Sequence, residues 1–443
     1  MSFFRQSSWM IFCNTLAGVL MFAVHFIAFD MLPKDGEYGL FAALLGVLTL
    51  MMSATPGIQT VFTHETASAT SEAERHRMTY HAHGIIKLTF VIWLVFVSVV
   101  AFFHKPIFSF YKMDKALPLI TTLLAGLLLF WLPVFMGVLQ GAQRFSWLGW
   151  SLLANGAGRL VFVFLLIILL GASAQSVMLG VLAGVFIALL MVYSAARPHL
   201  VKHKSITCNW GRWLRGILPL ALAPIVFQMM MSADTIFFRA LMSKTESSYY
   251  AMAGTLGRGL FMLLGPLAGV MFPKLVKSHR EGQSSSILIS TMAGTLLLGG
   301  VVFCFFLSLS WGWPYLIDYM RGMKGSGLLN GFAQRVISNE VGLSMVLDLL
   351  PWFSAAMLFL SCSNVLLSNL LALKRYRTLF VPFMVVLAYL GSLILIPSDG
   401  KELVQLIFLF NIILLLVLIM LVWRTGTWQI RVALSNDQVN PNE

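Results

Sequence analysis

Charge is what this chain has least of. Only 11% of its 443 residues are charged, 59% are hydrophobic, and the mean hydropathy is +0.86. A soluble globular chain is about 25% charged and about 45–50% apolar. Water could not solvate so much apolar surface. The composition also excludes a disordered chain, a collagen and a disulfide-rich secreted domain. Cysteine is scarce too: Cys13, Cys208, Cys304 and Cys362 are the four. Three fall in apolar stretches and none forms a C-x-x-C pair, so they read as small core hydrophobes. There is no G-x-x-x-x-G-K-[ST] loop, no nucleophile elbow and no H-E-x-x-H. The longest connection, 311–344, leaves no room for a catalytic domain. No catalytic residue, cofactor or metal is expected, and the solvent must be lipid.

Long apolar runs are what the chain has instead. A membrane-crossing helix needs about 20 mostly apolar residues. Twelve such stretches run over 8–29, 38–62, 85–103, 118–139, 147–170, 176–195, 214–242, 248–272, 286–310, 345–373, 380–397 and 403–423. They are continuous rather than alternating, which predicts helices and not barrel strands. The expected fold is an all-α polytopic membrane protein with about twelve transmembrane helices in two six-helix lobes around a central cavity. Arg5 followed by an apolar run with no small-x-small cleavage site reads as a retained first span.

The net charge of +13 is explained by membrane topology before nucleic acid is invoked, because no basic module lies outside the spans. With the N-terminus inside, eighteen of the 30 Lys and Arg fall in cytoplasmic segments and nine on the other side. Arg159, Arg239 and Arg258 fall within spans. That bias places both termini in the cytoplasm of a multi-pass inner-membrane protein. The expected organisation is an N-terminal lobe over 1–200, a basic linker over 201–215, a C-terminal lobe over 216–423 and a tail over 424–443. Trp311, Trp313, Tyr315 and Tyr319 predict a helix in the outer interface. His64, His76, His81 and His83 match no zinc spacing and read as a solvated loop.

The halves repeat weakly. HFIAFDMLPKDGEYGLFAALLG from His25 and DTIFFRALMSKTESSYYAMAGTLG from Asp234 share a helix end, a polar turn, an aromatic-small restart and a glycine. Pro56-Gly57 and Gly265-Pro266 interrupt the second helix of each repeat. Paired interruptions point to a central transport site, and Pro56 and Pro266 also read simply as packing kinks.

LPKDGEYGLFAALLG (Leu32–Gly46) resembles the turn between the first two helices of bacterial Wzx-type oligosaccharide flippases. These belong to the multidrug/oligosaccharidyl-lipid/polysaccharide exporter superfamily. Ser232–Leu275, ending at Phe272-Pro273-Lys274, looks like their seventh and eighth helices. Ser363–Arg377 is similar to their tenth helix and basic loop. The resemblance implies a V-shaped pair of lobes opening alternately to each side. It implies undecaprenyl-diphosphate-linked oligosaccharide as cargo, a precursor of surface polysaccharide such as O-antigen or exopolysaccharide. The partners expected are that lipid-linked oligosaccharide, membrane lipid and glycosyltransferases or a polymerase, with no nucleic acid.

An ionised side chain at mid-bilayer costs about 2.5–3.5 kcal/mol, so it faces protein or a wet cavity. Arg159 lies roughly 16 Å from the outer end of its span and Arg258 roughly 15 Å from the start of its own. A guanidinium gives phosphate two parallel hydrogen bonds. Arg159, oriented by Asn155 four residues earlier, is the leading diphosphate ligand. Arg258 reads equally as a cargo ligand or as the partner of Asp234 in a buried pair. Arg239 is a further cavity residue or snorkels to the interface. His25 is a cavity contact or a satisfied core histidine. Gln228, Asn364 and Asn369 read as interhelical hydrogen-bond partners. Two rival functions stay open: a multidrug or metabolite exporter, and a non-transporting subunit of a polysaccharide synthesis complex.

Overall fold

The computed structural model describes residues 3–33, 35–69, 71–201, 210–280, 287–322, 334, 336–373, 378, 380–395 and 399–424. The backbone is helical: α1 (Phe3–Met31), α2 (Glu37–Met51), α3 (Thr55–Ser68), α4 (Glu72–Phe102), α5 (His104–Tyr111), α6 (Leu117–Gly141) and α7 (Phe145–Leu170) come first. Then follow α8 (Ala174–Ala196), α9 (Trp210–Leu241), α10 (Lys244–Arg280), α11 (Ile287–Gly322), α12 (Glu340–Ala372), α13 (Phe380–Leu395) and α14 (Gly400–Arg424). Among the described residues, each of the twelve apolar stretches falls on helix. Among the described residues, nine helical segments are long and apolar enough to cross a membrane. The chain is an all-α, multi-pass membrane protein.

Helix boundaries follow local chemistry. Ser71 and Glu74 form a reciprocal capping box at the start of α4, each side chain accepting from the other's backbone N–H. Ser173 caps α8 through the Ser176 N–H, and Glu37 Oε2 accepts the Ala174 N–H at 2.6 Å. Such a cap contributes about 1 kcal/mol. Gly36 precedes α2 at φ 100, a backbone state that L side chains rarely adopt. Between α2 and α3 the helix tightens to a 3-10 turn over Met52–Ala54, with Pro56 in the first turn of α3. Pro lacks the N–H that a continuous ladder would require there. α10 runs helical through Pro266.

By contacts the chain divides into two compact units, up to Met252 and from Ala253 onward. In the first, α7 packs between α1 and α8, α6 against α3 and α8, and α2 against α9. Small residues allow the closest approaches, as is usual where lipid removes any hydrophobic drive between helices. A Cβ on Gly184 would lie 2.5 Å from the Arg159 backbone nitrogen, and one on Gly180 2.6 Å from the Val163 Cα. A Cβ on Gly156 would meet the Ala17 carbonyl at 2.8 Å. The α3–α6 contact holds a polar clamp: Gln140 Oε1 accepts from Gln59 Nε2 at 2.9 Å and Thr63 Oγ1 at 3.3 Å. In the second unit α12 lies against α11 and α14, and α13 against α14.

Two expectations change. Trp311, Tyr315 and Tyr319 do not start a separate interfacial helix; they continue α11, whose 36 residues reach about 54 Å at 1.5 Å per residue. The histidine segment is not a solvated loop, because α3 and α4 bring Glu65 to His81 and bury the imidazole to 4% exposure. The connection after α4 holds the amphipathic α5.

Candidate functional site

Arg159 sits on α7 at the crossing with α8. Its backbone is pressed against Gly184, and its half-buried side chain runs along its own helix. Nε donates to Asn155 Oδ1 at 3.0 Å, the pairing that a four-residue helical spacing allows. Among the described residues no acceptor meets its two Nη atoms. One guanidinium edge is therefore held and the forked end is left for a ligand. Asn155 is itself 7% exposed.

In the second unit, Arg258 on α10 lies over the Phe353 ring of α12, with Cζ 5.5 Å from the ring centroid. This cation–π contact offsets part of the cost of removing the charge from water. Asp234 on α9, in the first unit, is fully buried and accepts from the Tyr250 hydroxyl at 3.0 Å. Phe238 stacks on the Tyr250 ring at 3.9 Å. Gln228 bonds within its own helix, to Ser232 Oγ at 2.7 Å.

The turns of the two repeats meet within the first unit. The Gly39 N–H donates to Ser248 Oγ at 3.0 Å, and the Tyr38 hydroxyl reaches Met252 Sδ at 3.7 Å. A Cβ on Gly39 would lie 2.3 Å from Ser247 Oγ, so only glycine admits this approach. His25 Nδ1 lies 3.2 Å from the Tyr38 hydroxyl, which joins His25 to the same seam. Arg239 does not snorkel. It is 2% exposed, because α5 and the α9–α10 turn cover it. Its Nε donates to the Tyr111 carbonyl at 3.2 Å, and its Nη1 to the Lys244 carbonyl at 3.2 Å and Ser247 Oγ at 2.9 Å. Lys112 Nζ adds a bond to the Met242 carbonyl. Burial pushes the Tyr111 phenol well above its usual range. Arg239 is thus a bracket tying α5 to the α9–α10 turn.

Residues 4–279 match the family described as polysaccharide biosynthesis protein. The chain belongs to that family. Solved structures of like fold surround this polysaccharide biosynthesis protein. The lipid II flippase MurJ in an inward closed conformation superposes with a TM-score of 0.69 at 16% identity, covering 96% of this chain and 89% of that one. The MATE multidrug transporter DinF-BH, solved as a complex, gives 0.63 at 12% identity over 96% of each chain. An inward-facing multidrug resistance MATE transporter of the MOP superfamily gives 0.59 at 13% identity over 94% of each. A curated relative, an uncharacterized membrane protein of Methanocaldococcus jannaschii, is 24% identical over 184 residues, 38% of this chain. The match spans only 43% of that relative's length. These neighbours of known structure are a flippase and multidrug transporters.

The structure of the polysaccharide biosynthesis protein thus joins Arg159 to Asn155 and His25 to Tyr38. It gives Arg258 an aromatic partner and commits Arg239 to backbone carbonyls. Sequence reasoning missed Gly39, Ser247 and Ser248. The available signal was the repeat itself: small residues stand where the two aligned turns come closest.

Proposed function

We propose that this protein flips an undecaprenyl-diphosphate-linked oligosaccharide across the inner membrane by alternating access. The observation that carries the reading is Arg159: a guanidinium on an apolar helix, oriented by Asn155, with both Nη atoms without acceptors among the described residues. A diphosphate supplies paired oxygens at the spacing of that fork. The family match supports this reading over a drug exporter, since the fold itself is shared by a flippase and multidrug transporters alike. Both termini would be cytoplasmic, with lobes over 1–200 and 216–423, the basic linker over 201–215 between them and the tail over 424–443. Residues 202–209 and 425–443 lie outside the described residues. Arg258 would be a second contact for the anion, and the seam of Tyr38, Gly39 and Ser248, with His25 behind it, the outer seal. Arg239 would brace that seal rather than touch cargo, and Asp234 with Tyr250 would hold α9 to α10. Pro56 would give α3 the freedom to bend during the cycle, and Pro266 the same for α10. Glycosyltransferases and a polymerase would act before and after it on the same glycan.

The test is the fate of lipid-linked glycan in cells lacking the protein, complemented with the native chain or Arg159→Ala. Loss of surface polysaccharide with build-up of the lipid-linked form, restored by the native chain and not by Arg159→Ala at equal protein level, is expected. Unchanged glycan pools on deletion would instead favour an exporter, and full rescue by Arg159→Ala would remove the assigned role of Arg159.

A further inference from the structure

α4 is poorly covered. Its buried residues, Met78, Thr79, His81, Ala82 and Ile85, cluster in its first half. Farther along, Val91, Ile92 and Val95 are 56–60% exposed, and Trp93 Nε1 ties the helix to the Leu123 carbonyl at 2.9 Å. Beside that tie, α4, α6 and α8 line an open groove of about 750 Å³. This lies within the range of about 300–1,000 Å³ that ligand pockets occupy. Its floor is Ile86, Trp131, Phe135 and Leu190 along the helices, its mouth carries Arg197 just past the end of α8, and His83 and Tyr193 line it as well. The floor residues lie on helices long and apolar enough to cross a membrane.

The mouth is cationic. Arg197 lines it, and Val201 beside it donates its N–H to Thr79 Oγ1, one turn from Arg75. His199 feels both neighbouring arginines: its own burial, then Arg144 and Arg75, push its pKa below the usual value. The acidic side chains nearby are engaged elsewhere. Glu65 pairs with His81, Glu72 with His76, and Glu74 caps Ser71. An apolar floor inside the membrane with a positive mouth at its edge requires a ligand built the same way, tails at one end and a negative head at the other. A zwitterionic lipid would bring its own cation against the arginines.

We propose that this groove binds an anionic phospholipid, with acyl chains along Ile86, Trp131, Phe135 and Leu190 and the phosphate at Arg197. The lipid fills the gap that α4 leaves and ties it to α6 and α8. Nothing in this depends on the cargo.

The test uses the delipidated full-length protein in detergent, titrated with phosphatidylglycerol or phosphatidylcholine of identical chains, with bound lipid counted by native mass spectrometry. Phosphatidylglycerol is expected to be retained preferentially. Arg197→Ala should weaken it by about fivefold, the effect of one cation at a membrane surface. Leu190→Trp should reduce retention of both lipids by filling the floor; Leu190 is 51% exposed, so the core is spared. Melting temperatures of both variants without lipid show whether they are folded. Equal retention of the two lipids by the native protein, or undiminished phosphatidylglycerol retention by folded Arg197→Ala, would overturn the proposal. So would displacement of phosphatidylglycerol by inorganic phosphate alone, which marks a bare anion site. Preferential displacement by undecaprenyl phosphate would assign the groove to a polyprenyl tail and overturn it as well.

Discussion

At the residue scale, burial and partners decide what each cation does. Arg159 and Arg239 have the same guanidinium. Among the described residues, one has a single side-chain acceptor along its own helix, and the other has three acceptors around it. Arg159→Lys is expected to retain only part of the surface-glycan signal, because an ammonium offers phosphate a point charge instead of a fork. Normal glycan levels with lysine would show that charge alone suffices. His199 gives a pH prediction. Its folded pKa is depressed, by burial first and by Arg144 and Arg75 next. Between that value and the usual 6.5 the unfolded chain binds more protons, so the folded state is undiminished above about 6.5 and loses stability as pH falls below it. Arg144→Ala should move the His199 titration upward toward 6.5 and shrink that loss, which imidazole chemical shifts would record. An unmoved titration would mean that burial alone sets it.

At the scale of elements, close helix packing rests on glycine. Gly180 and Gly184 are spaced as G-x-x-x-G, and both face α7. Gly184→Val is expected to push α8 off the Arg159 backbone and cost about 1–3 kcal/mol, the usual range for overpacking. A lowered melting temperature in detergent would register it, together with partial loss of the Arg159–Asn155 geometry. An unchanged melting temperature would show that the helix pair slides apart freely. The helices themselves were legible from hydropathy, because each must satisfy its own backbone in lipid. Their ends were less so. α5 is only eight residues long, and α11 continues past its apolar stretch through aromatic residues that face out.

At the scale of the molecule, the proposed cycle would act on the repeat-related turns. In that proposed cycle, outward opening would part Gly39 from Ser247 and Ser248. Gly39→Leu places a side chain where a Cβ already meets Ser247 Oγ at 2.3 Å. It is expected to hold the seam apart, raise labelling of a Ser248→Cys probe by a membrane-impermeant thiol reagent severalfold, and lower glycan export. Unaltered labelling would mean that the turns do not move.

The amino-acid sequence by itself determined the solvent, the helical class, the span positions and the family resemblance. Those depend on composition, on runs of about 20 apolar residues and on local motifs, all of which are properties of contiguous chain. It also placed Arg159 and Asn155 on one face, since four residues complete about one turn. Only the tertiary structure decided that Arg239 is enclosed by Tyr111, Lys244 and Ser247, that Glu65 meets His81, and that Gly39 lies on Ser248. Apart from the short Lys244 and Ser247 links, these contacts join distant segments. A buried polar group takes whichever acceptor packing brings within about 3 Å, and hydropathy carries no information about which one that is.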